Sequence, residues 1–276
     1  MTKFLLLTTH QCRSGRQADL ERLRLSVSTA VALGAPIEHY ILLQGGAECP
    51  GGPLQAHEHA LFSPHTMSLS LARNTLLAAA TVGETDWLGF PDDDAWYPSD
   101  FFAVFEDAIR GCPDVELVLG ARSNAPASSS SAPHEGVDGA KVIRLASSNS
   151  IFIRGRIARL IGEFDVRLGV GAEFVGGEDS DYALRAFYVA KGALYFPELV
   201  VGHDDLRGLP ADPWERRRRY LPGVLAFSKK HAGRSTAALT HFLRHLAIGV
   251  ALLVMGRTST AHILKPAFAV WRTSRI

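Results

Sequence analysis

The stretch that decides the fold is residues 90–98, which read FPDDDAWYP. It continues a largely apolar run, 86–90, that is typical of the end of a buried strand. Three adjacent carboxylates repel one another, so we expect a positive group beside Asp92, Asp93 and Asp94. One interpretation is a divalent cation that holds a phosphate, because hard oxygen ligands suit Mg²⁺, Mn²⁺ or Ca²⁺. The other interpretation is an acidic turn that caps the following helix. The triplet alone favours neither interpretation over the other.

Outward from this stretch, compact apolar runs alternate with segments of helical spacing. This alternation predicts an α/β fold with a mostly parallel sheet and with ligands at the carboxyl ends of its strands. The triplet, the pair Glu178 and Asp179, and His203 all fall at such ends or just beyond them, which favours a shared functional role. The predicted strands are 4–8, 38–43, 86–90, 115–119, 151–154 and 195–201, and the predicted helices are 17–33, 69–82, 99–110, 156–161 and 178–188.

Two stretches interrupt this alternation. Residues 47–65 are rich in Gly, Pro and His, and we expect a loop in which His57 and His59 are solvated rather than metal ligands. Residues 127–133 read ASSSSAP, a low-complexity segment that is either a loop folding over a bound substrate or a surface insertion.

The bulk composition is that of an ordinary globular enzyme. At 276 residues, with 47% hydrophobic and 21% charged residues, the chain is long enough for one large domain or for a domain with an appendage. Three cysteines without metal-ligand spacing predict free thiols in a reducing compartment. The apolar run at the N-terminus is too short for a signal peptide, so we expect a protein in the cytoplasm or on the cytosolic face of a membrane.

The charge is distributed unevenly. Residues 1–206 carry a net charge of −10 and residues 207–276 carry +11, which predicts a catalytic domain over 1–210 and a basic helical tail over 211–276. The apolar part of the tail, 246–256, is shorter than the roughly 20 residues that span a bilayer. Helices lying in an anionic membrane interface are therefore the first interpretation. Nucleic acid is the rival partner, but no recognition motif accompanies the basic residues. A third option is packing on the domain or on a second subunit, as in a homodimer.

At this point three motifs and their order resemble the family 2 glycosyltransferases of the GT-A fold. Residues 70–74 read SLARN before a helix, Asp92 to Asp94 match an Asp-x-Asp motif, and residues 177–182 read GEDSDY, matching a Glu-Asp motif. His203 lies where a downstream histidine often completes the metal site. The resemblance covers about residues 3–206 and implies a GT-A type, Rossmann-like sheet.

The resemblance implies a role for each matching residue. Asp92 and Asp94, with His203, would hold Mn²⁺ or Mg²⁺, and Asp179, beside Glu178, would be the catalytic base. The nucleotide-sugar site would include Thr8 and Thr9 at the end of the first strand and Gln44 after the second strand. It would also include Arg73 of the first motif and Asp92 and Asp93 of the triplet. The family usually has acidic residues after the second strand, where this chain has Gln44, so the donor stays open among UDP-, dTDP- and GDP-sugars.

The expected reaction is transfer of a sugar to a saccharide or a lipid-linked acceptor. A cation stabilises the charge that develops on the leaving phosphate, and a carboxylate takes the proton of the attacking hydroxyl. One base without a covalent intermediate implies direct displacement with inversion. Two alternatives remain open: a sugar nucleotidyltransferase, which would want a Gly-rich, Arg-containing loop where residues 9–15 read THQCRSG, and a non-catalytic glycan-binding or scaffold protein of the same fold.

Overall fold

A computed structural model of the chain describes residues 3–12, 15–46, 52–126, 134–204 and 212–269. Within them the strands are β1 (Phe4–Gln11), β2 (Ile37–Gln44), β3 (Glu58–Ser63), β4 (Trp87–Gly89), β5 (Ala95–Trp96), β6 (Val115–Ser123), β7 (Glu135–Gly136), β8 (Ile151–Arg154) and β9 (Gly192–His203). The α-helices are α1 (Gln17–Ala32), α2 (Leu69–Ala79), α3 (Phe101–Arg110), α4 (Gly139–Leu145), α5 (Gly155–Ile161), α6 (Glu178–Val189), α7 (Pro213–His231), α8 (Thr236–Val254) and α9 (Thr260–Ala267).

The strands form a single sheet in the order β3-β2-β1-β4-β8-β6-β9-β5, and β7 pairs with β9. The first four strands of this order run parallel, and so do β6 and β9. Between them β8 is antiparallel to both neighbours, which leaves β6 and β9 pointing in the same direction as β1. The predicted α/β fold with a mostly parallel sheet is therefore confirmed. The carboxyl ends of β1, β2, β4 and β9 face one edge, where such sheets bind ligands.

A hydrophobic core lies on each face of the sheet. On one face α1 and α3 pack through leucines and phenylalanines, and Phe4 of β1 contacts Phe102 and Phe105 edge to face at 4.9 and 5.2 Å between ring centroids. On the other face α2, α4, α5 and α6 cover the strands, and Phe164 stacks on Tyr182 at 3.9 Å. Because both faces are covered, the strands are apolar on both sides, which explains the continuous apolar runs.

The expectation of a loop over 47–65 was wrong for its second half. Glu58–Ser63 forms the edge strand β3, paired in parallel with β2. Its first residue, Glu58, is buried and its carboxylate accepts hydrogen bonds from Arg24 on α1 at 2.7 and 2.8 Å. His59 stacks on Tyr40 at 4.5 Å rather than pointing freely into solvent. A buried glutamate at the start of a strand breaks the alternation of apolar and polar residues by which strands are predicted. The sequence therefore gave no sign of β3.

Some expectations fall on residues that the structure does not describe. The Ser-rich segment 127–133 and Cys49 lie outside the described residues, as does the boundary expected between 210 and 211. Cys12 and Cys112 are free thiols.

The first helix of the tail packs on the domain. The backbone of Gly223 on α7 approaches that of Gly176 so closely that a Cβ on Gly223 would lie 2.1 Å from the Gly176 oxygen. Fully buried Asp181 on α6 accepts contacts from Lys230 Nζ at 2.8 Å and His231 Nε2 at 2.9 Å. Burial opposes ionisation of Asp181, but the hydrogen bond from His231 and the nearby cations outweigh it and lower the pKa of this carboxyl. An ion-paired, buried contact of this kind joins α7 to α6.

The second helix of the tail is longer than its apolar run indicated. α8 extends over 19 residues, and by length and composition it is the one helix in the described ranges that would reach across a bilayer. Only a small part of it is buried against the rest of the chain, and Leu239, Leu243, Val250 and Val254 are exposed along it.

Candidate functional site

The metal ligands proposed from the sequence come together at the carboxyl edge of the sheet. After β4 the chain turns through the acidic triplet into β5, whose Ala95 pairs with His203 at the end of β9. This antiparallel pairing places His203 Nε2 3.2 Å from Asp94 Oδ1. One ligand atom each from Asp92, Asp94 and His203 lie within 4.8 Å of one another. Two carboxylate oxygens and one imidazole nitrogen form a donor set that suits Mn²⁺ or Mg²⁺, so the residues present fit the expected cation.

The two carboxylates of this cluster are held in different electrostatic settings. Burial works against ionisation of Asp94, yet the hydrogen bond from His203 and the charge of Arg16 outweigh it and lower the pKa of Asp94. Partial burial raises the pKa of Asp92, and the charges of Asp179 and Asp94 add to this effect while Arg73 opposes it. A cation bound between them would favour the ionised form of both.

The middle residue of the triplet points elsewhere. Asp93 Oδ2 lies 2.7 Å from Nδ1 of the fully buried His10, and its Oδ1 lies 2.9 Å from a guanidinium nitrogen of Arg16. These contacts anchor the turn to β1 and to the start of α1. Ligand atoms of Asp92 and Asp94 thus lie near His203 while Asp93 contacts His10, and the roles of the three carboxylates at a metal or a nucleotide stay predictions.

Arg73 on α2 connects the triplet to the start of α6. It is 2% exposed, and it donates hydrogen bonds to Asp179 Oδ1 at 2.7 Å and to Asp92 Oδ1 at 3.2 Å. The other oxygen of Asp179 accepts from the backbone N–H of Ser148 at 2.9 Å. The side chain of Asn149 donates to Asp92 Oδ2 at 3.1 Å and accepts from the Asp92 N–H at 2.6 Å. Arg73 therefore contacts two carboxylates of the protein. Its expected contact with a nucleotide stays a prediction.

Ser148 and Asn149 were missed as site residues. They form a short 3₁₀ turn (Ser148–Ser150) directly before β8, and both are buried. The sequence signal that could have found them is a run of four polar residues, SSNS, directly before an apolar strand. Polar residues next to a buried strand tend to be buried themselves, and buried polar groups need hydrogen-bond partners.

Glu178 stands beside Asp179 in the first turn of α6. Gly177, which precedes it, has a φ of +84°, and this positive φ admits the tight entry into the helix. Glu178 is 8% exposed, and burial first, then the charge of Asp179, raises its pKa to about 7. Burial therefore disfavours the charged form of Glu178, whereas Asp179 is paired with a guanidinium.

The acidic triplet and His203 line a cavity of about 930 Å³, which Gly177 and Ser180 at the start of α6 also line. Thr9 and Gln44 line it, as does each aspartate of the triplet, whereas Thr8 is fully buried with its hydroxyl 3.0 Å from His39 Nε2. Gln44 is held in place because its Oε1 accepts from the Met67 N–H at 2.9 Å. Two cations that sequence reasoning did not single out, Arg16 and Arg122, also line the cavity.

The tail supplies one wall of the cavity, a contribution that no motif indicated. The residues of α7 and α8 that line it are Tyr220, Val224, Phe227, His241 and His245. Sequence patterns marked this region only as basic and apolar, and its contact with the site depends on the long-range pairing between α7 and α6.

In sequence, the chain matches no protein-family model and no curated protein. In structure, it is similar to S. aureus TarS 1-349, with a TM-score of 0.57 and 13% identity over 88% of this chain and 71% of that one. The same protein in complex with UDP-GlcNAc gives a TM-score of 0.54 and 12% identity over 96% and 89%. The mannosyltransferase PcManGT from Pyrobaculum calidifontis, in complex with GDP-Man and Mn²⁺, gives 0.55 and 14% over 92% and 79%. The chain thus has the GT-A-like fold of these proteins.

Proposed function

We propose that this chain is an inverting, metal-dependent glycosyltransferase of the family 2 type, which moves a sugar from a nucleotide-sugar donor to a saccharide or lipid-linked acceptor. The observation that carries the proposal is the bridge made by Arg73, which ties Asp92 of the metal cluster to Asp179 beside one large cavity. A scaffold protein gains nothing from buried, mutually repelling carboxylates held in this way.

The cation would be held by Asp92, Asp94 and His203. When bound there, Mn²⁺ or Mg²⁺ would act as a Lewis acid towards the leaving phosphate. Support for the ion comes from the donor set itself and from PcManGT, a protein of similar fold that was solved with Mn²⁺.

The donor would be a UDP-, dTDP- or GDP-sugar in the cavity of about 930 Å³. Thr9 and Gln44 offer a hydroxyl and an amide for the nucleoside, and Arg16 and Arg122 offer positive charge for the diphosphate. Proteins of similar fold were solved with UDP-GlcNAc and with GDP-Man, which supports a nucleotide sugar without selecting the base.

Asp179 would be the catalytic base. Its carboxylate is fixed in one orientation by Arg73 and by the Ser148 N–H, and nearby residues of the same segment, Gly177 and Ser180, line the cavity. The acceptor hydroxyl attacks the anomeric carbon, the bond to the nucleotide phosphate breaks, and the proton passes to Asp179. Since no second nucleophile is required, displacement occurs once and the anomeric configuration inverts.

The cellular setting is part of the same proposal. The exposed apolar side chains of α8, together with the basic residues of α7, support a cytoplasmic enzyme bound peripherally to the cytosolic face of an anionic membrane. Association with nucleic acid is not proposed. Homodimer formation through the tail stays a prediction that size measurements in solution would test.

The test combines donor binding with one substitution. We expect stabilisation of the protein by one nucleotide sugar in the presence of Mn²⁺, since a ligand of the folded state raises the melting temperature. Asp179→Asn should abolish transfer while leaving donor affinity nearly intact, whereas Asp107→Asn at an exposed position on α3 should change neither. Wild-type turnover in the Asp179→Asn variant would remove Asp179 from the role of base, and the absence of any nucleotide-sugar binding would refute the function.

A further inference from the structure

A second, smaller cavity lies between α7 and α8. Its volume is about 240 Å³, and we call it the α7–α8 groove. Its walls combine the apolar side chains of Leu221, Val224 and Ile248 with three guanidinium groups, those of Arg216, Arg217 and Arg244. An apolar trough with a cationic rim matches a ligand that has an anionic head next to an apolar chain.

The groove adjoins the main cavity. Tyr220, Val224 and His245 line both spaces. Tyr220 also packs against the glycine pair that starts α6, since a Cβ on Gly176 would lie 2.9 Å from Tyr220 Cδ1. A molecule lying in the groove is therefore led past Tyr220 towards the first turn of α6, which carries Asp179.

Two guanidinium groups of the groove have no acidic partner among the residues that the structure describes. Within the described ranges, no carboxylate lies in ion-pair distance of Arg216 or Arg244. By contrast, Arg218 pairs with Glu215 at 3.7 Å and Arg257 pairs with Asp212 at 3.0 Å. Unpaired guanidinium groups beside an apolar surface are stabilised by a phosphate, which they bind bidentately.

The chemistry of the main cavity decides which part of the ligand reaches it. In the proposed function the donor diphosphate takes the cations that line the main cavity, Arg16 and Arg122, and a sugar hydroxyl needs a base whereas a lipid phosphate does not. The phosphate therefore belongs at the arginines of the groove, and a saccharide attached to it belongs in the main cavity.

We propose that the α7–α8 groove binds the lipid-phosphate part of the acceptor, which is a saccharide carried on a long-chain lipid phosphate. The chain lies along Leu221, Val224 and Ile248, and the phosphate contacts Arg216 and Arg244. A hydroxyl of the saccharide forms the new bond to the anomeric carbon while the carbon–oxygen bond to the nucleotide breaks. The electron pair leaves with the nucleoside diphosphate, and the proton passes to Asp179. The acceptor role rests on the proposed function, but binding of the lipid phosphate does not.

The experiment measures cosedimentation with phosphatidylcholine vesicles that contain dodecyl phosphate, without donor or metal. The Arg216→Gln/Arg244→Gln variant should bind about tenfold more weakly or worse than the wild type, because it loses two charge-assisted contacts. The matched control, Arg218→Gln/Arg257→Gln, removes the same charge outside the groove and loses only the general attraction to an anionic surface. Ile248→Glu, which places a carboxylate in the groove, should also abolish binding if the glutamine variant melts early.

Equal losses in the two double variants would overturn the proposal. A second result would also overturn it. If the wild type binds phosphatidylserine vesicles of matched charge as well as it binds dodecyl phosphate vesicles, the groove is only part of a basic surface. Thermal shifts with UDP-GlcNAc or GDP-Man and Mn²⁺ on the same variants keep the two questions apart. Selective vesicle binding supports the groove even where no donor binds, and donor binding without selective vesicle binding refutes the groove alone.

Discussion

Arg73 and Asp179 form a short ion pair, with 2.7 Å between Nη1 and Oδ1, and the same guanidinium reaches Asp92 at 3.2 Å. One side chain on α2 therefore fixes the spacing between the proposed metal cluster and the proposed base. Because Arg73 is almost entirely buried, neither carboxylate can lose it to water without a local rearrangement.

Replacing Arg73 should damage stability and activity together. Arg73→Gln leaves Asp92 and Asp179 facing each other without their shared cation, so we expect the free energy of unfolding to fall by about 3 kcal/mol and transfer to be lost. Urea denaturation measures the first effect. Arg110→Gln, at a position whose side chain is 77% exposed, is the control and should change stability by less than about 0.5 kcal/mol. A stable, active Arg73→Gln enzyme would show that the bridge is incidental.

The metal cluster makes a separate prediction about affinity. Asp94→Ala and His203→Ala should each weaken Mn²⁺-dependent donor binding by at least about tenfold, the loss that even an outer partner of a metal site causes. Calorimetric titration of donor with and without Mn²⁺ measures it, and Asp114→Ala at an exposed position should behave as the wild type. Equal donor affinity with and without Mn²⁺ in the wild type would contradict a metal site at this cluster.

Sequence pattern can bring together those proposed site residues that lie at the ends of strands. Asp92 and Asp94 follow β4 and His203 ends β9, and strands that point the same way bring such ends to one edge whatever the details of packing, whereas Asp179 lies in the first turn of α6. The cluster could be expected without knowing that Ala95 pairs with His203. That pairing sets the distance between Asp94 and His203.

The parts that sequence did not reveal depend on contacts between distant segments. Glu58 begins a strand only because Arg24 neutralises it, and Asn149 becomes a partner of Asp92 only after β8 lies beside β4. The wall made by Tyr220 requires the close approach of α7 to Gly176. Neither periodicity nor residue type reports such pairings, because each depends on which segments meet in the folded chain.

His39 should make stability depend on pH. It is fully buried between β1 and β3, and burial lowers its pKa to about 3, with Arg24, His57 and His59 acting in the same direction and Glu58 opposing. The unfolded chain binds this proton below about pH 6.5 and the folded chain does not, so stability falls as pH drops from 6.5 towards 3. Between pH 7 and pH 5 the loss from this group is about 2 kcal/mol.

The measurement is the free energy of unfolding of the wild type and of His39→Gln at both pH values. The glutamine variant should show a smaller decrease on acidification by about 2 kcal/mol. Parallel pH curves for the wild type and His39→Gln would mean that His39 titrates normally in the folded protein.

Gly223 tests whether the tail is part of the catalytic unit. Alanine in a helix interior normally stabilises by about 0.5–1 kcal/mol over glycine, but a Cβ on Gly223 would lie 2.1 Å from the Gly176 oxygen and 2.3 Å from the Val175 oxygen. Gly223→Ala should therefore lower the free energy of unfolding by about 1–3 kcal/mol.

The same substitution should weaken acceptor use more than donor binding, because Tyr220 and Val224 move with α7. Gly233→Ala, where nothing lies within 4 Å of the added Cβ, should leave both unchanged, and a neutral or stabilised Gly223→Ala would show that α7 does not dock there.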